Sequence, residues 1–98
     1  MELLTLDHFT GHVNETFSAV TNDGEIPFVL VEARALAPTP TLHRGGRAPF
    51  YLLFRNEASF LFPQQIYPMR HSTMGEVGIF LVPIARDKAG FLYQAIFN

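Results

Sequence analysis

The chain has 98 residues with ten Phe, three Tyr, no Cys and no Trp; 48% of it is hydrophobic and only 16% is Asp, Glu, Lys or Arg. That length predicts one domain over residues 1–98, and the missing Cys excludes disulfides and Cys-ligated metal centres. A formal net charge of −2 leaves no global footprint for nucleic acid, and no stretch approaches the ~18 apolar residues that predict a membrane span.

Met1-Glu2-Leu3-Leu4 lacks the basic start and long apolar run of a secretory signal. A cytoplasmic protein, or a part of an assembly built in the cytoplasm, is the expectation. Along the chain, Thr5-Leu6-Asp7-His8-Phe9 offers Thr5 as an N-cap, with Gly11 as the stop of one short helical turn. The period then changes: Val13, Glu15, Phe17 and Ala19 share one side of a strand ending near Val20. Thr21-Asn22-Asp23-Gly24-Glu25 reads as a tight hairpin turn, because Asp-Gly accommodates positive φ.

A second strand runs from Ile26 to about Leu36, with Pro27 suited to a first or edge position. Phe28 and Leu30 share a face with Glu32 and Arg34, so this strand is expected to leave the core partway along. Residues 37–49 form the longest irregular segment. A third strand follows at Phe50–Arg55, then a turn at 56–59 and a short apolar run, Phe60-Leu61-Phe62-Pro63, read as a wide loop packed on the core. Gln65–His71 is the fourth strand, which Pro68 demotes towards an edge. Glu76–Ile84 is the most hydrophobic strand and is apolar on both faces. The polar turn Arg86–Gly90 leads into the last strand, Phe91–Phe97. The fold class is therefore all-β and mainly antiparallel: a partly closed barrel of about six strands or a small sandwich, with one short N-terminal helix.

Little of this carries catalytic chemistry. His8 and His12 stand at i, i+4 with Glu15 three residues on, a spacing that lets two imidazoles share a metal on a continuous helix. Gly11 interrupts that helix, however, and the His-Glu-x-x-His base is missing, so two solvated imidazoles beside a helix end are expected, and no metal. No nucleophile elbow surrounds Ser18, Ser59 or Ser72. A non-enzyme without a cofactor is the expectation. In the irregular segment, His43, Arg44 and Arg47 flank a Gly pair, and the two guanidinium forks suit a phosphate or carboxylate. A small barrel binding an anionic or apolar ligand through this 43–47 loop is the alternative reading.

Apolar faces carry the stronger argument. A domain of this size buries roughly 60–65% of its unfolded surface, while the third, fifth and sixth strands each ask for cover on both sides. The surplus predicts exposed patches for protein contact. Tyr51, Phe91, Tyr93, Ile96 and Phe97 are the candidate partner-binding residues, and the edge of the last strand is open to strand addition. The expected partner is a protein, a second copy of the chain, or both.

The chain also resembles a family of short, uncharacterised bacterial β domains of about a hundred residues. The residues that carry the resemblance are Leu6-Asp7-His8-Phe9, Asn14-Glu15-Thr16-Phe17, Pro49-Phe50-Tyr51-Leu52-Leu53-Phe54-Arg55 and Pro63-Gln64-Gln65-Ile66-Tyr67, then His71, Gly75, Phe80-Leu81-Val82-Pro83 and Tyr93-Gln94-Ala95-Ile96-Phe97-Asn98. Such domains accompany phage-tail-collar-like proteins, so the resemblance implies a structural or assembly role and supplies no catalytic residue.

Overall fold

A computed structural model describes residues 4–22, 24–36, 48–58 and 60–97. One helical turn, α1 (Asp7–Thr10), precedes six strands: β1 (Thr16–Thr21), β2 (Gly24–Ala35), β3 (Phe50–Asn56), β4 (Gln65–His71), β5 (Gly75–Asp87) and β6 (Gly90–Phe97). All six pair antiparallel in the order β1-β2-β3-β6-β5-β4, and β4 returns to β1 so that the sheet closes into a ring. The all-β expectation holds, with every strand near its predicted place.

Closure corrects one expectation directly. β6 pairs with β3 over Phe50↔Phe97 to Asn56↔Phe91 and with β5 over Val82↔Gln94 to Asp87↔Gly90. Both of its sides are taken, so the last strand offers no free edge for strand addition. β4 likewise lies between β5 and β1 despite Pro68, although its ladder to β1 has only two positions, Ser18↔Arg70 and Ala19↔Met69. That ladder stops beside Pro68, which has no N–H to donate.

The second correction concerns β2. The register against β3 shifts between Leu30 and Glu32, making Val31 the extra residue of a β-bulge. A one-residue slip exchanges the two faces of a strand. Phe28 and Leu30 point inward before the bulge, and Ala33 packs against the core after it while Arg34 is exposed. The strand changes which parity faces the core, and beyond Leu30 its burial fades as expected, with Arg34 and Ala35 exposed.

A second shift, between Pro83 and Ala85 of β5 against β6, makes Ile84 an extra residue; up to Leu81 and in the other strands alternation is plain. Phe50, Leu52 and Phe54 of β3, Tyr67 and Met69 of β4, Ile79 and Leu81 of β5, and Tyr93 and Ala95 of β6 are all buried. The interior is filled by these side chains, as a six-stranded ring requires. Each end of the ring has its own plug. At one end α1 brings Phe9 against Phe17, Phe50 and Phe97, with Phe50 and Phe97 stacked at 4.6 Å. At the other, Phe62 packs edge-on to Phe28. Its backbone N–H donates to the Tyr93 hydroxyl, and the Tyr67 hydroxyl donates to Pro63 O. Burial pushes both phenols above their ordinary pKa.

α1 stops at Gly11 as expected but differs at its start. The N-cap is Leu6, without a side-chain cap, and not Thr5, whose N–H donates to His8 Nδ1 at 2.8 Å while His8 N–H donates to Thr5 O. The left-handed residue that turns the chain into β1 is Asn14, at φ 74°, and not Gly11. Gly90 does need to be glycine: its φ is 135°, and a Cβ there would collide with the Asn56–Glu57 backbone.

Candidate functional site

Two regions of the surface stand out, one apolar and one polar. The apolar region is the outer face of β4, β5, β6 and β3. Ile66 and Phe80 are direct cross-strand partners, and both are exposed, at 67% and 46%. Ile96, 54% exposed, is the partner of Tyr51. Between these pairs, Val82 lies opposite Gln94, which lies opposite Leu53. Gly78, opposite Pro68, leaves space beside Ile66, whose Cγ2 would lie 3.5 Å from a Cβ at that position.

No residue in the middle of this face is charged. The charges sit around it and pair with one another: Arg70 with Glu76, Arg55 with Asp87 at 2.8 Å, and Glu32 with Arg34 at 3.0 Å. The Tyr51 hydroxyl donates to Glu32 at 2.7 Å. That bond holds the Glu32 carboxyl below its usual range and pushes the phenol up. An apolar centre inside a polar rim is the layout of a protein interface.

The five candidate contact residues divide between the two sides of the wall. Ile96 and Tyr51 point outward. Tyr93 is fully buried, and Phe91 and Phe97 pack against the core from the same inward face of β6. The surplus of aromatic residues is thus partly absorbed by the two plugs, and the exposed large aliphatic and Phe side chains on the strands are Ile66, Phe80, Ile84 and Ile96, with Tyr51 also outward. Their signal in the sequence was strand parity: each is the apolar residue at an outward position. Phe60 and Leu61, also exposed, lie on the segment between β3 and β4. His43, Arg44 and Arg47 lie outside the described residues.

The polar region gathers His12, Glu15 and His71. Residues 12 and 15 lie in the turn between α1 and β1, and His71 ends β4. Glu15 Oε1 is 2.8 Å from His12 Nδ1 and 2.7 Å from His71 Nε2. A carboxylate only accepts, so both imidazoles donate to it. His71 is fixed further: its Nδ1 accepts from the N–H groups of Thr73 at 3.1 Å and Met74 at 3.2 Å, across the turn of the β4–β5 hairpin. An imidazole whose Nδ1 accepts carries its hydrogen on Nε2, which is the hydrogen Glu15 receives. The rings of His12 and His71 meet edge to face at 4.5 Å, and Phe17 covers His71 from the core side. The two N–H bonds, that of His12 foremost, hold the Glu15 carboxyl below its ordinary pKa.

His12 is therefore not a solvated ring beside a helix end, and it does not pair with His8. His8 Nδ1 is held by Thr5, and the helical register between the two imidazoles ends at Thr10. Sequence spacing missed His71, 56 positions from Glu15. Its parity was the available signal. After Tyr67 and Met69, His71 is the next inward residue of β4, and a polar group at a core position needs a partner.

An open groove runs beside His71, lined by Thr16, Ser18, Glu25, Arg70 and Glu76 among others. Among the described residues no helix is long and apolar enough to cross a membrane. No curated protein and no solved structure matches the chain. Residues 4–97 match the domain of unknown function DUF6916, and the chain belongs to that family.

Proposed function

We infer that the chain is a non-enzymatic interaction module that associates with copies of itself or with a phage-tail-like protein, using the outer face of β4, β5, β6 and β3. The observation that carries this reading is the trio Ile66, Phe80 and Ile96, each about half exposed or more on neighbouring strands of one wall. Large apolar side chains on a charge-free strip keep their cost of hydration unless another surface covers them, at about 25 cal/mol per Å². Paired charges at the margin supply a rim that is already satisfied. The proposed partner class rests on the resemblance to bacterial β domains that accompany phage-tail-collar-like proteins, which supports a role in an assembly built in the cytoplasm.

Light scattering on the purified chain tests the reading. The expected mass is a multiple of 11.0 kDa at micromolar concentration. Phe80→Glu with Ile96→Glu is expected to return it to the single-chain mass with an unchanged far-UV spectrum, since both side chains point away from the core. If the unmutated chain is a monomer, co-expression with a phage-tail-collar-like neighbour must yield a complex that the double variant loses. A monomer that also ignores that neighbour overturns the proposal.

A further inference from the structure

We propose that His12, Glu15 and His71 form a binding site for a divalent transition metal ion of the zinc class. The site goes beyond the interaction face and lies on a different part of the ring. One ligand atom from each residue can be chosen so that all three lie within 4.8 Å of one another. The three come from two separate segments, the α1–β1 turn and the end of β4. Two imidazoles and one carboxylate are the donor set of borderline-soft ions and suit zinc, nickel or copper rather than magnesium or calcium.

A small rearrangement admits an ion at this place. Zinc holds nitrogen and oxygen ligands at about 2.0–2.2 Å, so tetrahedral ligand atoms stand roughly 3.3 Å apart. Glu15 now lies 2.8 and 2.7 Å from the two nitrogens, so it must withdraw by about half an ångström for an ion to sit among the three. Glu15 is the residue free to do so, its side chain being 47% exposed, while His71 is 2% exposed and anchored. Solvent on the Glu15 side leaves room for a water as fourth ligand.

The hydrogen balance is internal. Coordination through His71 Nε2 sends its hydrogen to Nδ1, where Thr73 Oγ1, 3.3 Å away, accepts it. Coordination through His12 Nδ1 sends that ring's hydrogen to Nε2. No net proton needs to leave, but the N–H groups of Thr73 and Met74 lose the acceptor they now share. Binding is therefore weaker than at a closed structural zinc site, and those two amides report it.

Calorimetry with zinc chloride on the full chain is expected to give one ion per chain with micromolar affinity, and magnesium chloride no heat. His12→Ala and Glu15→Gln, both at accessible positions, should each weaken binding by about tenfold or more, whereas His8→Ala should not. Zinc should shift the Thr73 and Met74 amide resonances in the unmutated chain. Three results would each overturn the site: no zinc uptake, uptake unchanged in His12→Ala, or uptake with the two amides unmoved. The last two would place the ion elsewhere on the chain.

Discussion

The seam between β3 and β6 and the seam between β1 and β4 close the same ring by different means. β3 and β6 pair without interruption over seven positions, Phe50↔Phe97 to Asn56↔Phe91. Their inward residues, Phe50, Leu52 and Phe54 against Tyr93 and Ala95, are all buried. β1 and β4 pair over two positions and stop beside Pro68. What the backbone leaves undone there is taken up by side chains: Glu15, just before β1, bonds His71, which ends β4. The long-ladder wall therefore carries the static apolar face, and the short seam carries the polar cluster. A ladder needs only strand-forming residues in register, whereas a side-chain closure needs particular chemical groups.

Three substitutions separate the two seams, taken from the largest effect down. Phe54→Ala empties the centre of the long-ladder wall, where the ring packs edge-on to Phe17 at 5.6 Å. A loss of about 3–5 kcal/mol in a chemical denaturation midpoint analysis is expected, a large share of the ~5–15 kcal/mol that holds most domains. A loss under about 1 kcal/mol would mean that the wall tolerates a cavity.

His71→Ala comes next. It frees the Thr73 and Met74 amides and removes one donor from Glu15. The expected cost is about 1–3 kcal/mol, with the loss of protection concentrated at the β4–β5 turn and β1. A global loss of protection would contradict a local closure.

Glu15→Gln is the smallest and the most diagnostic in pH. The Glu15 carboxyl titrates below its usual value of 4.5 because His12 and then His71 donate to it. A carboxyl depressed in the folded state contributes stability that is present above its unfolded pKa and lost as pH falls through the lower folded one. The unmutated chain should lose this contribution below pH 4.5, while Glu15→Gln removes it at every pH and flattens that part of the acid limb. Parallel acid limbs for the two proteins would exclude a role for Glu15 in the seam.

The wall was readable from the sequence and the seam was not. The strands at Phe50–Asn56 and Gln65–His71 follow from β-forming runs and turn residues, whereas the strict alternation of burial in the first, apolar on both faces in sequence, is set by the ring. The bulge at Val31 escaped because a one-residue insertion leaves each half of β2 correctly patterned and only exchanges their faces. The reading that Phe91, Tyr93 and Phe97 are surplus failed because the end plugs at Phe9 and Phe62 were not counted as cover. The cluster was hidden for a different reason: ring closure joins residues 15 and 71, and no local period encodes that pairing.

Native-state hydrogen exchange compares the two seams in one experiment. Amides of Ser18 and Arg70 on the short seam should exchange through a low-energy local opening, and those of Leu52 and Ala95 only through global unfolding. Glu15→Gln should weaken protection at Ser18 and Arg70 and leave Leu52 and Ala95 unchanged. Equal protection at all four sites, or an equal loss at all four in the variant, would contradict a ring held by its backbone along one seam and by side chains along the other.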